Sequence, residues 1–451
     1  MSGILGTFKG VPWPYQQEDG DLLTKRGDLL LGHKTGLGKT FIALYGACAF
    51  GSNRIIITGT KSSLATWLTE IPEWTDGVPK YLGVKTPKLQ DEWQLACQKG
   101  RPGIWLLTHA MFQQFVHKHK GSRKPVWDTI IVDEAHKARN RTKLLHKALK
   151  AIDAEHRIEA SATFASRGAQ DIYAPLNRID PRMFPSYWKF VNTFCFVDDT
   201  AYGKSVYGTK NAPQLRALLK DYYVTRKYAD VKGQMPPLRR KPVVLAMDPE
   251  QDRLYRKMEK DLILDEGERL IIAPGSLSRD VRLRQIALAP QVLDPSFPYG
   301  AGIEYLMEQI PAEDQHTVVF SIFKEVLYKV RDALEKQGVR CFMLMGGMEP
   351  DEVIQEVARF KEVGGTMLCT IAFAQSFSLD TVGRAYVLGI DPDPINNIQA
   401  EGRLRRGNSK LGPEGVLVNY IVIKNTREED FKGIVNEKTD TVGDFFPGYT
   451  D

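Results

Sequence analysis

Short runs of aliphatic and β-branched residues, each followed by a turn and a longer amphipathic stretch, occur in two separate regions of the chain. In the first region these runs predict strands at Leu29–Leu31, Ile55–Thr58, Trp105–Thr108, Thr129–Val132 and Arg157–Ser161. In the second they predict strands at Val318–Ser321, Cys341–Leu344, Met367–Thr370, Ala385–Leu388 and Val416–Ile421. Strands that alternate with helical stretches point to the α/β class, with parallel sheets, in two lobes. Between the regions, from about Ile179 to Pro298, the texture becomes aromatic, basic and helix-forming, which predicts helical insertions serving both lobes. Within it the stretch 233–242 combines Gly, Pro and charge without apolar periodicity, so a linker is expected there. The expected organisation is a first lobe over 1–232, a linker over 233–242 and a second lobe over 243–451. No heptad array, solenoid period or low-complexity tail interrupts this plan.

Composition narrows the class. A chain of 451 residues exceeds one ordinary core. With 43% hydrophobic and 26% charged residues, wholesale disorder, a collagen repeat and a disulfide scaffold are excluded. The net charge of +6 permits a nucleic-acid partner without demonstrating one. Cys48, Cys97, Cys195, Cys341 and Cys369 are odd in number and never form a CxxC pair, so neither disulfides nor a zinc site is expected, and a cytoplasmic location fits best. The longest strongly apolar run, Phe41–Phe50, is about half of the ~20 residues a membrane span needs, so no membrane segment or export signal is expected.

Two motifs carry chemistry. Leu29–Leu31 is followed by Gly32-His33-Lys34-Thr35-Gly36-Leu37-Gly38-Lys39-Thr40 and an apolar, helix-like run. This strand, glycine-rich loop and helix have the order of a phosphate-binding loop. Gly36, Leu37 and Gly38 would close backbone amides around phosphate oxygens, Lys39 would bridge the β and γ phosphates, and Thr40 would hold Mg2+. His33 stands where the common pattern has its first glycine, and a chance glycine-rich turn is the competing reading. Upstream, Gln16 can both donate to and accept from an adenine edge, although a plain helix-start glutamine explains it equally well. The second motif is the buried-type strand Thr129–Val132 ending in Asp133-Glu134-Ala135-His136. There Asp133 would hold Mg2+, Glu134 would orient and deprotonate the attacking water, and His136 would report that state to its neighbours.

A phosphate loop followed by Asp-Glu-Ala-His resembles a superfamily 2 helicase, a DEAH-type ATPase. Such proteins close their motor with Gln-x-x-Gly-Arg-x-x-Arg, and the chain has Gln399-Ala-Glu-Gly402-Arg403-Leu-Arg405-Arg406. The resemblance implies two RecA-like lobes around ATP and Mg2+, with Gln399 in coupling and with Arg403 and Arg406 as arginine fingers that act only when the lobes close. Further segments resemble the Swi/Snf-type branch of DNA translocases. Thr60–Trp67 with Glu70 and Trp74 looks like its motif Ia, and Leu215–Arg226 with Pro236-Pro237 like the end of its first lobe. Gln251–Tyr255, Leu283–Ile286 and Val318–Phe323 match further stretches, so the similarity runs from about Tyr15 to Asn436.

Three features depart from that branch. Motif III reads Ser161-Ala162-Thr163, nearer to other helicases, and still implies coupling roles for Ser161 and Thr163. Motif V, from Thr370 to Leu379, lacks its usual glycines. The length leaves no room for a chromodomain-like or bromodomain-like addition, so a compact bacterial or viral form is expected, in a bacterial or virus-infected host cytoplasm. By position in the family, Lys61, Ser62, Thr108, His109, Ser321, Lys324 and Thr370 are the nucleic-acid candidates, suited to tracking a backbone without reading bases. The basic run His117–Lys124 could touch duplex phosphates, with a solvated loop as the favoured reading, and no Cys or carboxylate cluster supports a metal there. The expected activity is ATP-dependent translocation on DNA, duplex first. An RNA-directed helicase and a non-motor ATP switch acting on a protein partner are the alternatives.

Overall fold

The computed structural model describes residues 3–82, 87–118, 127–165, 168–200, 203–231, 235–261, 263–265, 270–272, 276–310, 316–374, 377–405, 411 and 414–429. The chain divides into two compact units, with the boundary between Lys232 and Gly233.

The first unit begins with α1 (Pro14–Arg26), β1 (Leu29–Leu31), α2 (Lys39–Ala49), β2 (Arg54–Gly59) and α3 (Lys61–Trp74). It continues through β3 (Pro79–Tyr81), α4 (Pro87–Lys99), β4 (Gly103–Thr108), α5 (His109–Lys118), β5 (Trp127–Asp133), α6 (Leu144–Ala151) and β6 (Ala154–Ala160). It closes with α7 (Tyr173–Ile179), α8 (Tyr187–Phe194), the strands β7 (Phe196–Thr200) and β8 (Gly203–Tyr207), α9 (Ala212–Leu219) and β9 (Tyr223–Val224). Seven strands make one sheet in the order β3-β4-β2-β5-β6-β1-β9, and every pairing in it is parallel. Parallel neighbours require crossovers, which the helices supply, so the central strands are buried on both faces. That is why Ile55, Ile56 and Ile57 are all apolar and all buried, instead of alternating with polar residues. Toward the β3 edge Trp93 of α4 stacks on Trp127 at 5.1 Å and meets Trp105 edge-on at 5.4 Å.

The second unit contains β10 (Leu238–Leu245), α10 (Pro249–Asp261), the antiparallel pair β11 (Ile263–Asp265) and β12 (Leu270–Ile272), α11 (Ser276–Leu288) and α12 (Ala301–Gln309). These precede β13 (His316–Ser321), α13 (Lys324–Lys336), β14 (Cys341–Leu344), α14 (Pro350–Val363), β15 (Gly365–Thr370), β16 (Arg384–Leu388), α15 (Pro394–Glu401) and β17 (Val416–Ile423). Its sheet has the order β10-β17-β16-β13-β15-β14, again parallel throughout. Gln251 is fully buried and joins three helices: its amide donates to the carbonyls of Ile286 and Ala287, and its Oε1 accepts from Ala301 N.

Two expectations need correction. The predicted linker 233–242 is not linker along its whole length, because Leu238–Leu245 is a strand paired in register with Val416–Ile423. It lies at the sheet edge, where Arg239, Arg240 and Lys241 stay exposed and Pro242 sacrifices no ladder bond to a second neighbour. The insertion over 179–298 is likewise not purely helical. It includes the antiparallel pair β7 and β8, and it supplies β9 and β10 to the two sheets.

One buried ion pair braces the first unit. Glu159 of β6 and Arg178 of α7 are both fully buried and meet through two bonds of 2.6 Å. Arg178 also donates to the carbonyl of Ala138 at 3.0 Å and lies 2.7 Å from His146 Nδ1. Burial pushes the His146 pKa down to about 3, and the nearby Arg178, Lys150 and Arg141 push the same way, so the ring is a neutral acceptor at pH 7. Replacing Arg178 with Met leaves Glu159 buried and unpaired, and should cost about 3–5 kcal/mol of unfolding free energy in urea. Because unfolded His146 takes up a proton near 6.5 and the folded ring only near 3, stability should fall as pH drops through that interval. His146→Gln should flatten that part of the pH profile, which denaturant titrations at several pH values would measure.

Candidate active site

In a parallel sheet all strands end on the same edge, so the residues that follow them are brought together. Read across the first sheet, this edge carries His109 after β4, Thr60 and Lys61 after β2, Glu134 after β5, Ser161 after β6 and Gly32 after β1. The register places Asp133 opposite Ala160, and Ala160 opposite Leu31. One strand therefore separates the acidic box from the root of the phosphate loop.

The loop itself runs from Gly32 to Gly38, with α2 beginning at Lys39. Gly36 and Gly38 have φ of 84° and 73°, a region that side chains with a Cβ disfavour. A Cβ on Gly38 would also come within 2.3 Å of the Gln16 amide nitrogen. Gln16 is thus packed against the loop while its Oε1 accepts from Trp13 N at 2.9 Å, which makes it a helix-start residue as well. Tyr15 donates to the carbonyl of Leu37 at 3.1 Å. Lys39 Nζ donates back to the His33 carbonyl at 2.9 Å, and Thr40 follows in the first turn of the helix.

Sequence reasoning missed what supports the loop from below. His33, noted only as a departure from a glycine, is fully buried with Nε2 2.8 Å from Asp19 Oδ2. Arg226, 207 residues further on, grips both oxygens of Asp19 at 2.6 and 2.9 Å and reaches Glu18 at 2.9 Å. Burial pushes the His33 pKa down against the pull of Asp19, so the ring is neutral. Burial works to raise the Asp19 pKa, but the bonds from His33 and Arg226 outweigh it and hold the carboxylate charged. The segment after β9 adds Lys34 N to the Arg226 carbonyl, Thr225 Oγ1 to the Gly32 carbonyl and Tyr228 to the Thr35 carbonyl. No short spacing could have announced these contacts, because they join α1, the loop and the end of the unit.

At the acidic box, Asp133 Oδ1 accepts from Glu134 N at 2.9 Å and Oδ2 accepts from Trp67 Nε1 of α3 at 3.0 Å. Burial and the neighbouring Glu134 charge raise the Asp133 pKa, while Trp67 and Lys39 oppose the shift. A carboxylate buried beside a second negative charge is one that a bound divalent cation would relieve, which suits Asp133 to holding one. Glu134 adopts φ 50°, ψ 46°, a left-handed conformation that turns the chain sharply after β5. His136 Nδ1 lies 3.2 Å from Glu134 Oε2 and 3.0 Å from Ser161 Oγ, and Ser161 Oγ accepts from Thr163 N at 3.1 Å. His136, Ser161 and Thr163 therefore form one hydrogen-bonded chain beside Glu134.

The nucleic-acid candidates separate into groups. Lys61 and Ser62 open α3, where Ser62 Oγ lies 3.2 Å from Thr60 Oγ1, and Thr108 Oγ1 accepts from Met111 N as a cap of α5. His109 is half-buried: its Nδ1 lies 3.1 Å from Thr58 Oγ1, and burial with the neighbouring His136 pushes its pKa down to about 4. In the second unit Ser321 and Thr370 end the adjacent strands β13 and β15. Ser321 is fully buried and its Oγ accepts from Phe323 N, whereas Lys324 is exposed with Nζ 3.3 Å from the Gly346 carbonyl. Gln399 and Arg403 are buried in or just after α15, and both amide atoms of Gln399 lack a hydrogen-bond partner among the described residues. Arg406 and the run 119–124 lie outside the described residues. No cluster of three or more His, Cys, Asp or Glu able to hold a metal occurs among the described residues, and none of the helices there is long and apolar enough to cross a membrane.

A phosphate loop and an acidic box one strand apart on a parallel sheet, followed by a second parallel-sheet unit ending in the Gln-x-x-Gly-Arg motif, define the class: a superfamily 2 helicase-type ATPase with RecA-like lobes. The chain belongs to the SNF2-related family, whose domain matches residues 8–292, and a helicase conserved C-terminal domain matches residues 301–408. It is similar to chromodomain-helicase-DNA-binding protein 8 of Rattus norvegicus, at 22% identity over 90% of the chain and 17% of that protein. It is also similar to the ISWI chromatin-remodeling complex ATPase CHR17 of Arabidopsis thaliana, at 23% identity over 84% of the chain and 37% of that protein. The chain thus spans well under half the length of these relatives. Among solved structures, the Sulfolobus solfataricus SWI2/SNF2 ATPase core in complex with dsDNA aligns with 97% of the chain and 93% of its own, at 18% identity and a TM-score of 0.44.

The support beneath the loop yields a test. Arg226→Ala leaves Asp19, 2% exposed, without its bidentate partner, and should destabilise the first unit by a few kcal/mol while weakening nucleotide binding. Arg226→Lys should restore only part of the affinity, because an ammonium cannot make the paired bonds. Calorimetric titration with ATP would detect both, and unchanged affinity in Arg226→Ala would separate the network from the loop.

Proposed function

We propose that this chain hydrolyses ATP and uses the cycle to move along or remodel duplex DNA. The observation that carries the reading is the single sheet edge that holds the phosphate loop, Asp133 and Glu134, the His136–Ser161 link and the residues opening α3. In this reading Gly36, Leu37, Gly38 and Lys39 bind the phosphates, and Gln16 meets the adenine edge. Thr40 and Asp133 hold Mg2+, which supplies charge neutralisation at the transferring phosphate. Glu134 takes the proton of the attacking water, and its 3.2 Å contact with His136 passes the change to Ser161 and Thr163. By the family resemblance, Arg403 and Arg406 would serve as arginine fingers on the γ phosphate and Gln399 in coupling. Lys61, Ser62, Thr108, His109, Ser321, Lys324 and Thr370 are the backbone-tracking positions. The relatives are named for DNA binding and chromatin remodelling, and the net charge of +6 suits such a partner. Five cysteines without a disulfide suit a cytoplasmic setting.

ATPase rates with duplex DNA, single-stranded DNA, RNA and no polymer test the reading. Duplex DNA should stimulate most; a preference for RNA would favour an unwinding helicase, and an unresponsive rate would favour a protein-directed switch. Lys39→Ala and Glu134→Gln should each lower kcat on the order of a hundredfold or more, with Glu134→Gln retaining ATP binding. Hydrolysis at the wild-type rate in either variant would sink the site assignment.

A further inference from the structure

A second candidate binding site lies in the first unit, among α6, α7 and α8, and shares no residue with the phosphate loop, the acidic box or the backbone-tracking positions. It is an open cavity of about 590 Å3. Arg141, Lys147 and Lys150 are exposed around it, and no carboxylate lines it. Lys150 is steadied at the wall by donating to Asn177 Oδ1 at 2.9 Å. Arg141 lies over the ring of Tyr187 at 4.3 Å, which orients the guanidinium without neutralising it. Beside it Trp188 meets Tyr187 edge-on at 5.3 Å and is 41% exposed, an unusual position for the largest apolar side chain. The buried His146 lines the same cavity and is kept neutral chiefly by burial, with Arg178, Lys150 and Arg141 adding to the shift.

We propose that this cavity binds a nucleotide unit of single-stranded nucleic acid, with phosphate on Arg141, Lys147 and Lys150 and a base stacked on Trp188. Lysines offer point charges suited to phosphate, and an exposed indole offers a face that any base can cover. An acidic peptide would satisfy the charges but leave the indole wet. A free nucleotide has the same chemistry as a unit of a strand, and the experiment separates them. Only the choice of a strand as the source rests on the nucleic-acid reading above.

Binding of a 5′-fluorescein octathymidylate without ATP, followed by anisotropy, tests the site. Trp188→Ala should weaken binding about tenfold, and Trp188→Phe should recover most of the loss. Reversing both lysines, Lys147→Glu with Lys150→Glu, should reduce the salt dependence of log K by about 1.4. Displacement of the octamer by dTMP at similar concentration assigns the site to free nucleotide, and displacement only by unlabelled octamer assigns it to strands. Either result upholds the phosphate-and-base chemistry. The duplex-stimulated ATPase of Trp188→Ala should match wild type, so failure here is distinguishable from failure of the catalytic assignment. Wild-type affinity in both Trp188→Ala and the double lysine reversal, or no octamer binding by the wild-type chain, would overturn the proposal.

Discussion

Parallel strands deliver their carboxyl ends to one edge of a sheet, and the chemistry of this chain depends on that edge. The phosphate loop, the acidic box and the opening of α3 are far apart in sequence, yet each follows directly from a strand end. Once β1 pairs with β6, β6 with β5 and β5 with β2, Lys39, Asp133 and Lys61 all follow strand ends on one edge without any long-range side-chain design. The helices on both faces serve this arrangement twice: they make the crossovers and they keep water from the central strands.

Charge is handled by pairing wherever the fold buries it. Asp19 is held ionised under the phosphate loop by His33 and Arg226, and Glu159 is paired with Arg178 beneath the turn that follows Glu134. Asp133 is the contrast. Its bonds to Trp67 and to Glu134 N do not offset burial beside a second carboxylate, and its pKa rises. Asp133 therefore keeps an electrostatic cost from burial and from the adjacent charge of Glu134.

Most strands were legible because buried parallel strands must be apolar on both faces, as Ile55–Ile57 and Val318–Phe320 are. Where that pressure lapses the signal lapses too. β10 carries Arg239, Arg240, Lys241 and Pro242 and reads as linker, since an edge strand tolerates both charge and proline. β9 has two residues, too few for any periodicity. In the candidate site, Lys39, Asp133 and Glu134 stand out in the chain because a glycine-rich loop after one apolar strand and two adjacent carboxylates after another are patterns of fixed spacing. For His109 and Ser321 the motif says which strand end each follows, and only the fold shows that their side chains bond to Thr58 and to Phe323 N.

The local chemistry and the order of elements were therefore written in the linear chain: glycine at the positive-φ positions of the loop, two adjacent carboxylates after an apolar strand, the Gln-x-x-Gly-Arg spacing near the end. These follow from backbone sterics and from ligand chemistry within a few residues, so they survive without knowledge of the fold. Tertiary structure alone decided that Arg226 grips Asp19, that Trp67 bonds Asp133 and that Trp188 stands exposed among three cations. Each of those contacts joins elements whose separation in sequence is arbitrary, and only the packing of helices onto the sheet determines which side chains meet.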